Sequence, residues 1–239
     1  MKIISYNISE SKPWKIERLL GMGADVLIVP EITCPDEAHL PEEYDMMWNG
    51  LEYTTNEKKW KGLGMIWKKG EGRIPEWYNP NLHYAIPLVI DNYLILGIWP
   101  TKLSGEKKSY PQIAQEIILE YAPFYDKYNT LIIGDFNCYV DQSDATKEYG
   151  DMLRVNEILN ARRFHSLYHL ATGDEFGKEH QPTYYHQFQK DRPFFLDYAY
   201  TKTWVDAFRL LPWDKEMSDH VGMTIEIEKS ENLVTLLKM

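Results

Sequence analysis

Residues 130–137 read Thr-Leu-Ile-Ile-Gly-Asp-Phe-Asn. A short apolar run that ends in glycine and a turn-forming acid reads as a strand rather than a helix. The run does not alternate, so the strand is expected to be buried on both faces. Asp135 then stands at the end of a dry strand. An ionised carboxylate there is costly unless it is hydrogen-bonded, paired or bound to a metal.

The same design recurs along the chain. Apolar runs at 2–8, 24–30, 63–67, 85–90, 93–99, 130–134, 194–200, 204–211 and 222–227 read as strands. In the last, Thr224 and Glu226 alternate with Ile225 and Ile227, as in a half-exposed strand. Three segments have helical spacing: 12–20, with Ser11 as the expected N-cap and Pro13 near its start, 111–121, and 151–163. Nine strands interspersed with three helices predict a mixed α/β fold with two β-sheets. No linker or internal repeat stands out, so one domain is expected over 1–239, with its core at about 2–228 and a tail at 229–239.

Apolar residues make up 44% and charged residues 26% of the 239, a globular mix that excludes collagen, coiled-coil arrays and intrinsic disorder. Acidic residues exceed basic ones by 36 to 26, a formal net charge of −10. That balance counts against tight, non-specific phosphate-backbone binding. No apolar run approaches the roughly 20 residues of a membrane span. Met1-Lys2 leads directly into a short strand-like segment, without a signal-peptide pattern. The expectation is a soluble, cytoplasmic protein.

Acids end several of the strands. The run at 24–30 meets Glu31, the run at 130–134 meets Asp135, Asp197 interrupts 194–200, and Ser218-Asp219-His220 precedes the last strand. If these four carboxylates converge, their repulsion calls for a cation. Oxygen ligands suit Mg²⁺ or Mn²⁺ better than zinc. Such an ion polarises a phosphoryl oxygen and stabilises charge on a leaving oxygen. Asp197 and His220 form a candidate carboxylate–imidazole pair. The residues point to metal-assisted hydrolysis, with phosphate esters as the natural substrate class.

Six motifs then stand in order: Ser-Tyr-Asn (5–7), Val-Pro-Glu (29–31), Gly-Leu-Gly-Met-Ile-Trp (62–67), Gly-Asp-Phe-Asn (134–137), Leu-Asp-Tyr (196–198) and Ser-Asp-His (218–220). Together they resemble the endonuclease/exonuclease/phosphatase superfamily, over nearly the whole chain. The resemblance implies the DNase I-like four-layer fold, two mixed sheets packed as a sandwich and flanked by helices. It implies Glu31 as the principal metal ligand, with Asn7 beside it and Asp219 in support. Asp135 would orient or deprotonate the attacking water, and Asn137 would hydrogen-bond the phosphate or nucleophile. Asp197 would orient His220, which would contact the scissile phosphate.

The chain departs from that family in three places. Trp99 stands where many members have His or Tyr, Ser9 where abasic-site endonucleases have Asp, and Phe195 where they tend to have Arg. The last two lead away from abasic-site cleavage. The first leaves the phosphate clamp open, with Lys102 and Tyr110 as candidate substitutes beside Trp99 in substrate binding. Lysines interleaved with aromatics (Lys58, Lys59, Trp60 and Lys61; Trp67, Lys68 and Lys69; Lys107, Lys108 and Tyr110) fit either a nucleic-acid track or solvated loops. Cys34 and Cys138 read as small buried thiols, and His165 and His169 as neighbours on one helix face. The leading expectation is a metal-dependent phosphodiesterase with a slight lean to DNA or RNA. The alternatives are a phosphatase or phosphodiesterase acting on a small molecule or lipid headgroup, and a non-catalytic binding module.

Overall fold

The computed structural model describes residues 1–34, 40–50, 61–103, 105–140 and 151–228. Lys58, Lys59, Trp60 and the tail at 229–239 lie outside the described residues. In chain order the strands begin with β1 (Lys2–Ser5), β2 (Val26–Ile32), β3 (Tyr44–Gly50) and β4 (Gly62–Lys68). β5 (Ala85–Ile90), β6 (Tyr93–Ile98), β7 (Asn129–Asp135) and β8 (His165–Ser166) follow. The rest are β9 (Tyr184–Tyr185), β10 (Pro193–Phe194), β11 (Asp197–Thr201), β12 (Ala207–Leu210) and β13 (Met223–Glu226). The helices are α1 (Pro13–Gly21), α2 (Tyr110–Glu120), α3 (Met152–Asn160) and α4 (Leu167–Thr172). Among the described residues no helix is long and apolar enough to cross a membrane.

Two mixed sheets result. One runs β12-β13-β1-β2-β4-β3 and the other β5-β6-β7-β11-β8, while β9 and β10 form a separate hairpin. The parallel pairs are β1 with β2 and β6 with β7. Ile3, Val26, Ile28, Met65, Ile95, Leu131 and Ile133 fill the core between the sheets. Their chain neighbours Ile4, Leu27, Val29 and Ile66 point the other way and meet Ile16 and Leu19 of α1. Leu94, Leu96, Ile98 and Ile132 meet Ile113, Ile117 and Ile118 of α2 and Val155 and Leu159 of α3. The unbroken apolar runs are therefore buried on both faces, because each sheet is sandwiched between the other sheet and helices. The fold is α/β, in the four layers expected.

Several boundaries differ from the sequence reading. Helix α1 has Lys12 rather than Ser11 at its N-cap, with no side-chain cap, and Pro13 opens its first turn. The run at 194–200 divides into β10 and β11, because Thr183 Oγ1 accepts the Leu196 and Asp197 amides, both at 2.9 Å. Strand β3 was not expected. It is an edge strand whose mostly half-buried side chains give no clean apolar signal. His165 lies on β8 and His169 on α4, so they do not share a helix face.

Candidate active site

The close approach of β6 and β7 explains the glycine before Asp135. Gly134 lies at φ 152°, and a Cβ there would stand 1.9 Å from the Ile98 carbonyl oxygen. The strand can deliver Asp135 only with hydrogen at the preceding position. Beyond it, Phe136 turns outward onto Tyr198, with ring centroids 5.4 Å apart. Asn137 adopts a left-handed conformation at φ 52°. Its backbone N–H donates to Asp135 Oδ1 at 2.8 Å, closing an Asx turn, and its Nδ2 donates to the Pro100 carbonyl at 2.9 Å.

Asp197 is the cross-strand partner of Asp135. His220 stands between them: Nδ1 is 2.9 Å from Asp197 Oδ2, and Nε2 is 3.8 Å from Asp135 Oδ2. All three residues are buried, and their candidate ligand atoms lie within 4.8 Å of one another. The Tyr184 ring covers the imidazole at 4.6 Å. Burial alone would lower the His220 pKa, but the carboxylates of Asp197 and Asp135 outweigh it and raise it to about 10. Loss of solvation raises the Asp135 carboxyl to about 7 even though the His220 charge pulls it down. Burial raises Asp197 as well, against the same imidazolium. The cluster is thus a cation held between two desolvated carboxyls.

Asn7 ties this cluster to the other sheet. Its Nδ2 donates to Asp135 Oδ2 at 2.9 Å and to Glu31 Oε1 at 3.1 Å, while Oδ1 accepts the Ser9 amide at 2.8 Å. The Asn7 oxygen is therefore engaged by backbone, and its amide nitrogen faces the acids: Asn7 acts as a clamp between carboxylates. Glu31 sits at a bulge in the pairing of β2 with β4, at φ 64°. Such a bulge re-aims a side chain at the cost of local strain. Its Oε2 meets the Lys61 ammonium at 2.5 Å, and Lys61 also donates to the Ser9 carbonyl. Asp219 accepts from the Ser218 hydroxyl at 3.3 Å.

Glu31, Asn137, Asp219 and His220 line a cleft of about 380 Å³, together with Tyr110, Tyr139, Tyr184, His186, Arg192 and Phe194. Of the sequence candidates, the structure brings Asn7, Glu31, Asp135, Asn137, Asp197, Asp219 and His220 to this end of the sandwich, and Tyr110 to the cleft wall. Trp99 is elsewhere. It continues the inward alternation of Ile95 and Gly97 into the core between the sheets, where it packs edge-on to Tyr84 at 4.9 Å. Lys102 is half-buried and does not line the cleft. Cys138 is buried and its thiol pKa is raised by that burial, while Cys34 is half-buried.

Sequence reasoning missed Thr183 and the cleft residues of the β9–β10 hairpin. A threonine in a polar stretch carries no signal of its own. The donor set fits a hard divalent ion. Glu31 and Asp219 present carboxylates to the cleft, and Glu31 already draws a cationic group, the Lys61 ammonium. That ion pair is part-exposed, worth about 0–1 kcal/mol, and readily exchanged.

No family sequence profile and no curated protein sequence matches the chain. Solved structures do. The endonuclease domain of TRAS1, a telomere-specific non-LTR retrotransposon, is 13% identical and superposes with a TM-score of 0.64 over 96% of this chain and 99% of that one. The 3′ phosphatase NExo from Neisseria, solved with a product DNA hairpin, is 13% identical with a TM-score of 0.65, covering 96% and 100%. A functionally unknown conserved protein from Enterococcus faecalis is 14% identical with a TM-score of 0.62, covering 96% and 100%. The chain has the DNase I-like fold of endonuclease/exonuclease/phosphatase-type proteins.

Proposed function

We propose that this protein is a divalent-metal-dependent phosphoester hydrolase that directs water onto a phosphodiester, with a lean to nucleic-acid substrates. The observation that carries the reading is the buried Asp135–His220–Asp197 cluster, joined through Asn7 to Glu31 at one cleft. Glu31 and Asp219 would hold Mg²⁺ or Mn²⁺, which when bound supplies Lewis-acid polarisation of the phosphoryl group. Asp135 takes the proton of the attacking water, a task suited to a carboxyl with a pKa of about 7. The water oxygen bonds to phosphorus as the P–O bond to the leaving alcohol breaks, and the leaving oxygen takes its proton from solvent. The His220 imidazolium, oriented by Asp197, donates from Nε2 to a phosphoryl oxygen and opposes its developing charge. Asn137 Nδ2 has one proton committed to the Pro100 carbonyl and a second to offer the phosphate. The DNA hairpin held by the Neisseria phosphatase supports the nucleic-acid lean. The modest cleft volume favours a second reading, a small-molecule phosphoester.

The test is a hydrolysis panel with Mg²⁺, Mn²⁺ or EDTA, and with Asp135→Asn as control. It covers single- and double-stranded DNA, RNA, an inositol phosphate and bis-p-nitrophenyl phosphate. Metal-dependent cleavage that falls by about 10²–10⁴ in the variant is expected. Equal rates in parent and variant, or rates indifferent to EDTA, overturn the mechanism.

A further inference from the structure

The cleft has a half that the hydrolysis chemistry does not use. The β9–β10 hairpin contributes Tyr184, His186, Arg192 and Phe194 to the lining. The His186 amide donates to the Arg192 carbonyl at 3.0 Å, so the two residues are paired across the hairpin. The Tyr184 hydroxyl lies 3.0 Å from His186 Nδ1. With that hydroxyl donating, the ring proton sits on Nε2 and is free to be offered. Arg192 is exposed, and among the described residues no carboxylate pairs with its guanidinium. Two N–H donors, one of them a guanidinium, side by side and without an acidic partner among the described residues, favour an anion between them.

The hairpin is fastened to the catalytic segment. The Tyr185 amide donates to the Asp219 carbonyl at 2.7 Å, and the Val221 amide to the Thr183 carbonyl at 2.7 Å. Tyr185 also stacks on Trp213 at 4.0 Å. Arg192 and His186 are therefore held in fixed relation to His220, as a binding subsite requires. Tyr139 and Phe194, whose ring centroids are 5.1 Å apart, add an aromatic surface to the same wall, against which a base can lie. The cleft volume of 380 Å³ is near the small end of ligand clefts, which run from about 300 to 1,000 Å³. Its size suits one nucleotide, and the net charge of −10 disfavours a wide backbone footprint.

We infer that Arg192 and His186 form a second anion seat, beside the one at His220, for a phosphate one nucleoside removed from the scissile phosphodiester. The substrate class is then the end of a single strand or a short oligonucleotide, with a phosphate on each side of its terminal nucleoside. This rests on the phosphoesterase reading of the same cleft.

The experiment pairs calorimetry with kinetics in the Mg²⁺-loaded protein, for the parent, Arg192→Met and Arg192→Lys. The binding probes are thymidine bisphosphate and thymidine monophosphate. The kinetic probes are the p-nitrophenyl phosphodiester of thymidine with and without a phosphate on the other sugar hydroxyl. The parent is expected to bind the bisphosphate about tenfold tighter than the monophosphate, to lose that preference in Arg192→Met, and to keep part of it in Arg192→Lys. KM is expected to follow the same pattern, with kcat moving less. Equal affinities in the parent, or a preference that survives Arg192→Met, overturn the anion seat. Turnover of both esters without preference removes the seat and leaves the hydrolase standing. Turnover of neither, with the binding preference intact, removes the hydrolase reading and leaves the seat.

Discussion

Asp135 is held by Asn7 and the Asn137 amide while sharing His220 with Asp197. Its folded pKa of about 7 lies above the roughly 3.9 of an unfolded aspartate. The folded state thus binds this proton more tightly, and the stability it contributes is complete below about pH 4 and lost as pH rises through 7. His220 behaves alike. Its contribution is complete below an unfolded pKa of roughly 6.5 and is lost as pH rises through about 10. In Asp135→Asn the first of these is gone. The amide also sets an NH₂ against one of the two donors, a deficit of about 1–3 kcal/mol. The expected outcome, measured by calorimetry in EDTA, is a Tm deficit that narrows between about pH 5 and about pH 8. A deficit of the same size at both ends would falsify the raised carboxyl. The candidate site residues were legible because Glu31, Asp135 and Asp197 end or interrupt apolar runs and His220 follows Ser218-Asp219 ahead of the last strand. The direction of the Asn7 amide was not, since it depends on the Ser9 N–H. Nor was the inward turn of Trp99, which follows from strand pitch rather than residue type.

At the scale of elements, the junction of β10 and β11 hangs on one hydroxyl. Thr183 Oγ1 accepts two amides, and the second belongs to Asp197. Thr183→Val keeps the shape and leaves two buried N–H groups without an acceptor, a cost of about 2–4 kcal/mol. It also loosens the carboxylate that orients His220. Lower Tm and lower kcat are expected together, with recovery in Thr183→Ser. A Val variant as stable and active as the parent would show that another acceptor takes over. Strand β7 gives a second prediction. Gly134→Ala drives a methyl into the Ile98 carbonyl oxygen, so a loss of about 4 kcal/mol or failure to fold is expected by denaturant titration. Elements buried on both faces were readable as apolar runs. Strand β3 and the hairpin were not, because an edge strand of mostly half-buried side chains and a two-residue ladder carry no apolar run, although their partners are near in sequence.

Over the whole molecule, the site straddles the two sheets. Asn7 and Glu31 come from one, Asp135 and Asp197 from the other. A metal ion held by Glu31 of β2 and by Asp219, which leads into β13 of the same six-stranded sheet, would bind the folded state and stabilise it by mass action, by about 2.7 kcal/mol at a hundred times its Kd. Mn²⁺ is expected to raise Tm in the parent and much less in Glu31→Gln, read by differential scanning fluorimetry. Equal shifts would place the ion elsewhere. Two mixed sheets were legible from the count of strands and helices and the four layers from the family resemblance, whereas the position of β1 in the middle of its sheet was not legible. That position comes from pairing Ile3 with Ile225 on one side and with Val26 on the other.

This central place for β1 sets an order on biosynthesis. One flank of β1 stays open until β13 emerges from the ribosome, and Asp219 and His220 arrive just ahead of β13. Before then, a nascent chain carries Asp135 and Asp197 as facing acids without the imidazole that lies between them. A ribosome-tethered chain halted before residue 218 therefore lacks His220 and leaves the Asp135–Asp197 pair without the group that stands between them.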